Sequence, residues 1–504
     1  MNRLKQFFLN AIILTLTAIL IRTIGMYFNV FLSQKIGTEG IGLFQLIMSV
    51  YLFATTIANS GIYLAATRIV AEELACNSET GAKIAIHKCL IYSLIFGLIA
   101  SCLLVLFAPF LSQTALHGKI SNTPLYIIAI SLPFVSMGTS INGYFTGVRK
   151  AYKNSFSQVI STILNIGLTI FLLNYLSPTS IEGACGILVV SNTLAEIISF
   201  LYLYLLYQID KRKLHNTRQE SDRLLYRILR ISLPVAITSY IRSGLSTLKQ
   251  MLIPLRLEKS GLSCERSLSE YGMINGMVMP MLFFPSVLIN SFANILVPEF
   301  ARYKTKKDYQ RINEMISIVF RPSLFFSLGI TGIFMIFSDQ LSIAIYHNIE
   351  ISHFVKMLAP IISIMYLDNI VDSILKGLDK QVGVMACNII DLFVSISLIY
   401  CLLPIYGIYG YLLVIFTSEI LHFVISIYQL YRLSHFKFEF LEWLLKPTCC
   451  IFLSYFTLSL LQKIWYFSSF ITEIVLFLLF YLFFLFVFSK KEKPPFQIQK
   501  FKFF

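Results

Sequence analysis

Arg22 and Arg242 each stand near the middle of a long apolar stretch, and Arg68, Lys249 and Arg321 lie within or at the margin of others. A charge at the centre of a membrane-spanning helix costs about 2.5–3.5 kcal/mol on insertion scales. Neither Arg22 nor Arg242 has an acid three or four residues away to neutralise it, so both are expected to face water or an anion. Arg22 and Asn29 are seven residues apart, as are Arg242 and Lys249, and that spacing returns to the same helix face after two turns. Guanidinium groups bind phosphate oxygens in bidentate pairs. Arg22, Asn29, Arg68, Arg242 and Lys249 are therefore the candidate substrate-binding residues, and the expected substrate is anionic. A pyrophosphate-linked lipid would supply the anion while its tail stays in the bilayer. Arg68 carries two readings: it lines the inner mouth of such a cavity, or it pairs with Glu72 or Glu73 one turn on. Arg321, just before Pro322, is expected to snorkel.

The acids fall elsewhere. Asp368 and Asp372 are four residues apart, with Asn369 beside them, and Asn388 and Asp391 are three apart. Carboxylates with amide oxygens suit a sodium or proton site coupled to transport. The same acids could instead pair with Arg242 or Lys249. No cofactor is expected beyond Na+ or H+ coupling, and no metal site is firmly indicated. The seven histidines are scattered, and loop or interfacial roles fit them.

These residues require an element that holds polar groups inside a bilayer. Of 504 residues, 57% are hydrophobic and 13% charged, against roughly a quarter charged in soluble domains. Apolar segments of about 20 residues, the length that crosses a hydrocarbon core, recur throughout. The expected fold is an all-α polytopic membrane protein with about fourteen transmembrane helices. The first apolar stretch is too long for a signal peptide and is read as a retained span. The expected spans include Leu9–Ser33, Gly42–Val70, Tyr271–Val297, Phe354–Leu378, Val382–Leu403 and Gly407–Tyr431, with an outer loop over Ile253–Glu270. Residues 1–207 form an N-lobe of six helices, 208–227 a basic linker, and 228–432 a C-lobe of six more. Helices 13 and 14 occupy 433–489, and 490–504 form a basic tail.

The net charge of +15 would suggest nucleic acid in a soluble protein. Here loop cations that fix topology account for it, and no nucleic-acid partner is expected. About 29 of the 41 Lys and Arg residues fall on the side of the N-terminus and about seven on the other, which puts both termini in the cytoplasm. Nine cysteines without a CxxC pair indicate neither a disulfide framework nor zinc. The two lobes also echo each other: Ile21-Arg22-Thr23 against Ile241-Arg242-Ser243, and "GACG" at 183–186 against "GIYG" at 407–410. Six helices per lobe make this a parallel repeat about an axis along the membrane normal, with a binding site between the halves.

No phosphate loop, HExxH or GxSxG occurs, so ATP hydrolysis and the commoner hydrolytic sites are not expected. The stretches "LIRTIGMYFNVFLSQKIGTEGIGLFQL", "ANSGIYLAATRIVAEE", "INGYFTGVRKAYKNSFSQV" and "YGMINGMVMPMLFFPSVLINSFANILVPEFARY" resemble the multidrug/oligosaccharidyl-lipid/polysaccharide flippase superfamily, in its stage V sporulation protein B and polysaccharide-exporter branch. The resemblance implies two six-helix lobes in a MATE-like V with two extra C-terminal helices. It further implies alternating access around a cationic central cavity for a lipid-linked oligosaccharide, a peptidoglycan precursor or related polyprenyl-pyrophosphate saccharide. By the same resemblance Arg22 matches the first-span cavity arginine and Arg242 a seventh-span cation. Arg68 stands before "VAE", where relatives carry a base, whereas Asn142 replaces an arginine common before "GYFQG". A sporulation role in cortex or wall synthesis is implied by the branch alone. The expected protein is a non-enzymatic, monomeric flippase of a bacterial plasma membrane. The alternatives are a cation-coupled multidrug exporter of the same superfamily and a membrane-embedded saccharide transferase or polymerase.

Overall fold

The computed structural model describes residues 2–76, 78–114, 121–212, 224–434, 436, 438–464 and 469–489, and among these every regular element is a helix. In chain order they are α1 Asn2–Asn59, α2 Ile62–Ala75, α3 Glu79–Thr114, α4 Thr123–Gly147, α5 Tyr152–Leu176, α6 Ile181–Lys211, α7 Leu224–Glu258, α8 Cys264–Gly272, α9 Met279–Phe283, α10 Ser286–Thr305, α11 Tyr309–Ile336, α12 Ser338–Tyr346, α13 Glu350–Leu358, α14 Ile362–Gly377, α15 Gln381–Ser434, α16 Lys446–Ile464 and α17 Phe470–Ser489. Residues 213–223 of the expected linker and the expected tail over 490–504 lie outside the described residues.

Eleven described segments are long and apolar enough to cross a membrane. Two of them, Leu16–Ala75 and Gln381–Ser434, run 60 and 54 residues, far beyond the roughly 20 a bilayer core takes. Each is interrupted at a glycine of positive φ, Gly37 (φ 69°) and Gly407 (φ 56°), a conformation that side chains with a Cβ resist. Each therefore supplies two spans. The apolar stretch from residue 271 into α10, divided at Pro280 and Pro285, supplies one more, and the protein is an all-helical, multi-pass membrane protein of about fourteen spans.

Three local expectations are corrected. The span expected over Gly42–Val70 is broken at Ser60–Gly61, both left-handed. The outer loop expected over 253–270 is shorter, because α7 continues to Glu258 and α8 opens at Cys264, where the Ser263 side chain caps it by accepting from the Arg266 N–H. The span expected over Tyr271–Val297 is not one helix: a π turn over Met273–Val278 precedes α9. Pro280 and Pro285 remove backbone donors there, which is the ordinary cause of such a break.

The chain divides into two compact units, residues 1–287 with 385–418, and residues 288–384 with 419–504. In the first, α2, α3, α4, α6 and the start of α7 enclose a core that includes Ile69, Ile86, Tyr144, Phe145 and Ile228. Small residues let the helices approach: a Cβ on Gly143 would stand 2.8 Å from the Ala66 Cβ, and one on Gly147 2.9 Å from the Thr67 carbonyl. In the second unit α11 carries Gly329 against Tyr481 and Gly332 against Ile451 and Phe477. The Tyr481 hydroxyl donates to the Phe325 carbonyl at 2.9 Å.

Candidate functional site

Arg22 is exposed on α1, and so are the apolar side chains Leu16, Leu20 and Tyr27. At about 100° per residue these three lie about 120–160° around the helix from Arg22, whereas Asn29 lies within about 20° of it. α7 repeats the arrangement. Leu233, Ile237, Ile241 and Leu248 are exposed about 100–180° away from the exposed Arg242, and Lys249 lies within about 20° of it. Each helix therefore has an exposed apolar stripe and, on another side, a polar stripe headed by a guanidinium. Neither Arg22 nor Arg242 forms an ion pair among the described residues.

Lys249 is held differently. Its Nζ donates to the Ser395 Oγ on α15 at 3.1 Å, and Asp391 lies one turn before Ser395 on that helix. The Asp391 Oδ1 is buried and accepts no hydrogen bond among the described residues. Arg68 is exposed but engaged: its Nε donates to the Glu72 Oε1 at 2.8 Å. Glu72 also accepts from Arg227 at 2.7 Å, and Arg227 reaches Glu73 at 2.6 Å. The ion pair with Glu72 anticipated for Arg68 is present.

The expected ion-site residues do not form one group within either unit. Asp368 and Asp372 on α14 belong to the second unit, and Asn388 and Asp391 to the first. What joins Asp368 is His422 of α15, whose Nδ1 lies 2.9 Å from the Asp368 Oδ2. Ligand-capable atoms of Asp368, Asp372 and His422 all lie within 4.8 Å of one another. Lys376 Nζ stands 3.8 Å from the Asp372 Oδ2. The loop or interfacial role expected for the histidines is thus corrected for His422, which is 7% exposed inside a helix. Its place within an apolar span was the available signal, since intramembrane ionisable residues are functional candidates by default. Its partners, some 50 residues upstream, carry no local signature.

Helices of this number and length define a polytopic, all-helical membrane protein. Residues 7–304 match the family described as polysaccharide biosynthesis protein, and the chain belongs to that family, within the multidrug/oligosaccharidyl-lipid/polysaccharide flippase superfamily. As a member of a flippase and transporter family it is not an enzyme. Among its relatives is stage V sporulation protein B of Bacillus subtilis (strain 168), 25% identical over 426 residues that cover 83% of this chain and 82% of that one. Lipid II flippase MurJ of the same organism is 24% identical, covering 77% and 75%. The fold is that of a solved lipid II flippase MurJ in an inward closed conformation, with TM-score 0.72, 13% identity, and coverage of 95% and 99%. An inward-facing MATE family transporter gives TM-score 0.67 at 15% identity, with coverage of 84% and 98%.

Proposed function

We propose that this flippase moves a polyprenyl-pyrophosphate-linked saccharide across a bacterial plasma membrane, with both termini in the cytoplasm. The observation that carries the reading is the polar stripe on each of α1 and α7, where Arg22 and Arg242 are exposed, without ion pairs among the described residues, and turned away from the apolar stripe. A guanidinium in that setting faces water, because lipid exposure would cost several kcal/mol. Two such groups, with Asn29 and Lys249 on the same stripes, suit a diphosphate better than a cationic drug. The likeness to stage V sporulation protein B and to lipid II flippase MurJ supports a cell-wall precursor as substrate and a place in sporulation-linked wall synthesis.

Alternating access then needs no ATP. The membrane potential contributes about 2.3 kcal/mol per charge per 100 mV. With the interior negative, outward movement of the anionic head group is downhill, and the emptied cationic site is drawn back inward. Arg22→Ala and Arg242→Ala should each cut translocation of a lipid-linked saccharide in proteoliposomes by well over about tenfold while leaving expression and insertion intact. Normal translocation by both variants would remove the site, and transport of organic cations instead would favour the drug-exporter reading.

A further inference from the structure

Asp368 and Asp372 are one turn apart on α14 and project from one face. His422, from the second half of α15, meets them there, and the three side chains offer one ligand atom each within 4.8 Å of one another. The three side chains are largely shielded: His422 is 7% exposed, and each aspartate side chain is 15% exposed. The Asp368 Oδ1 and the Asp372 Oδ1 are buried and accept no hydrogen bond among the described residues. Ser426, one turn beyond His422 on the same face of α15, is fully buried, and its Oγ has no hydrogen-bond partner among them either. Buried polar atoms left in this state mark the place of a water or an ion. Asn369 does not fill the gap, because its Nδ2 donates to the Met365 carbonyl.

Charge and donor type narrow the occupant. Two carboxylates face one imidazole, and the nearest lysine, Lys376, reaches only Asp372, at 3.8 Å with a half-exposed side chain. A dication balances that set more fully than an alkali ion. The imidazole nitrogen separates the candidates further: Na+, Mg2+ and Ca2+ favour all-oxygen shells, whereas borderline ions of the zinc class take mixed nitrogen and oxygen ligands. Zn–N and Zn–O bonds of about 2.0–2.2 Å put tetrahedral ligand atoms about 3.3–3.6 Å apart. The three side chains would have to draw in by about 1 Å, within rotamer adjustment.

We propose that Asp368, Asp372 and His422 bind one divalent cation of the zinc class, with a water in the fourth position, and that the ion ties α14 to the second half of α15. This inference is independent of the cationic stripe on α1 and α7 and would hold for any transported substrate. It differs from an alkali-ion coupling site in donor set and in metal preference.

The test uses the purified full-length protein in detergent, stripped with chelator and titrated with Co2+ and Zn2+. One Co2+ per chain with a visible spectrum of four-coordinate nitrogen and oxygen ligation is expected, displaced by Zn2+ and untouched by excess Mg2+ or Na+. Asp372→Asn and His422→Gln should each weaken that affinity about tenfold or more. A thiolate charge-transfer band, or affinity unchanged in both variants, would assign the metal to the free cysteines and overturn the proposal. Where a variant does not express, the wild-type protein decides alone: its thermal midpoint should rise with Zn2+ and not with Na+. A rise with Na+ only, or with neither ion, refutes the site.

Discussion

Arg227 on α7 and Glu73 on α2 meet at 2.6 Å, with the glutamate side chain 8% exposed and the arginine 33%. Glu72, at 41%, shares the same guanidinium at 2.7 Å and hands its other oxygen to Arg68. The network fastens the start of α7 to the end of α2, and its members are unequal. Removing Arg227 takes a cationic partner from a largely buried carboxylate, whereas an exposed pair such as Arg68–Glu72 contributes only about 0–1 kcal/mol. Arg227→Met should therefore lower the thermal unfolding midpoint in detergent far more than Glu72→Gln. The double variant Arg227→Met with Glu73→Gln should recover most of the loss, because no charge is then left buried. Equal effects of Arg227→Met and Glu72→Gln would show that Glu73 is solvated.

Gly61 provides a backbone test of the same contact. It has φ 69°, and a Cβ there would stand 2.5 Å from the Ser232 carbonyl of α7. A left-handed residue with a Cβ costs about 1–3 kcal/mol in backbone energy alone, and the clash adds to it. Gly61→Ala should destabilise the protein by at least that amount. Gly25→Ala, where nothing lies within 4 Å, should be neutral or slightly stabilising, since alanine favours a helix interior by about 1 kcal/mol. Thermal melts of the two variants compare them directly.

How far these features are readable in the chain depends on the range of the interaction. The Arg22–Asn29 and Arg242–Lys249 stripes follow from helical periodicity within a single element, and the spans follow from apolar length. Gly37 and Gly407 punctuate the sequence where the helices break. The break at Ser60–Gly61 also falls on a glycine, but it lies inside a continuous apolar run, and the reason only glycine fits there, the approach of the Ser232 carbonyl some 170 residues downstream, is not local. The pairing of His422 with Asp368 and of Lys249 with Ser395 likewise joins separate helices. An i,i+4 pattern exposes half of each partnership and says nothing of the other half. The shortened outer loop has a further cause: Cys264–Gly272 is polar, so hydropathy alone reads its helix as loop.

The Lys249–Ser395 hydrogen bond separates positioning from charge. Ser395 is fully buried, and loss of its hydroxyl removes one charge-assisted hydrogen bond, about 1.5–3 kcal/mol. Ser395→Ala should slow lipid translocation only moderately, because the ammonium remains on the stripe. Lys249→Met removes the cation from the stripe, so translocation should fall at least about tenfold. Adding Asp391→Asn to Lys249→Met should restore stability without restoring transport. Restored transport would mean that Lys249 serves only to neutralise Asp391.

Voltage distinguishes an anion carrier from a cation carrier by sign. If Arg22 holds a phosphate in bidentate contact, Arg22→Lys keeps the charge but loses the fork, and translocation should drop about tenfold, the equivalent of 1.4 kcal/mol. Arg22→Gln loses both and should drop further. In proteoliposomes holding the lipid-linked saccharide, an inside-negative potential of about 100 mV should favour outward movement by about 2.3 kcal/mol per net charge moved, roughly fifty-fold in the transbilayer ratio. Reversing the potential should reverse the bias. For a carrier of cationic drugs the same field acts in the opposite sense, opposing export unless a second ion is exchanged. The dependence of Arg22→Gln on voltage is the sharper measurement. With one cation removed from the moving site, the empty return step carries less positive charge inward, so the variant's residual turnover should respond less steeply to potential than the wild type. An unchanged slope would mean that Arg22 does not cross the field with the substrate site.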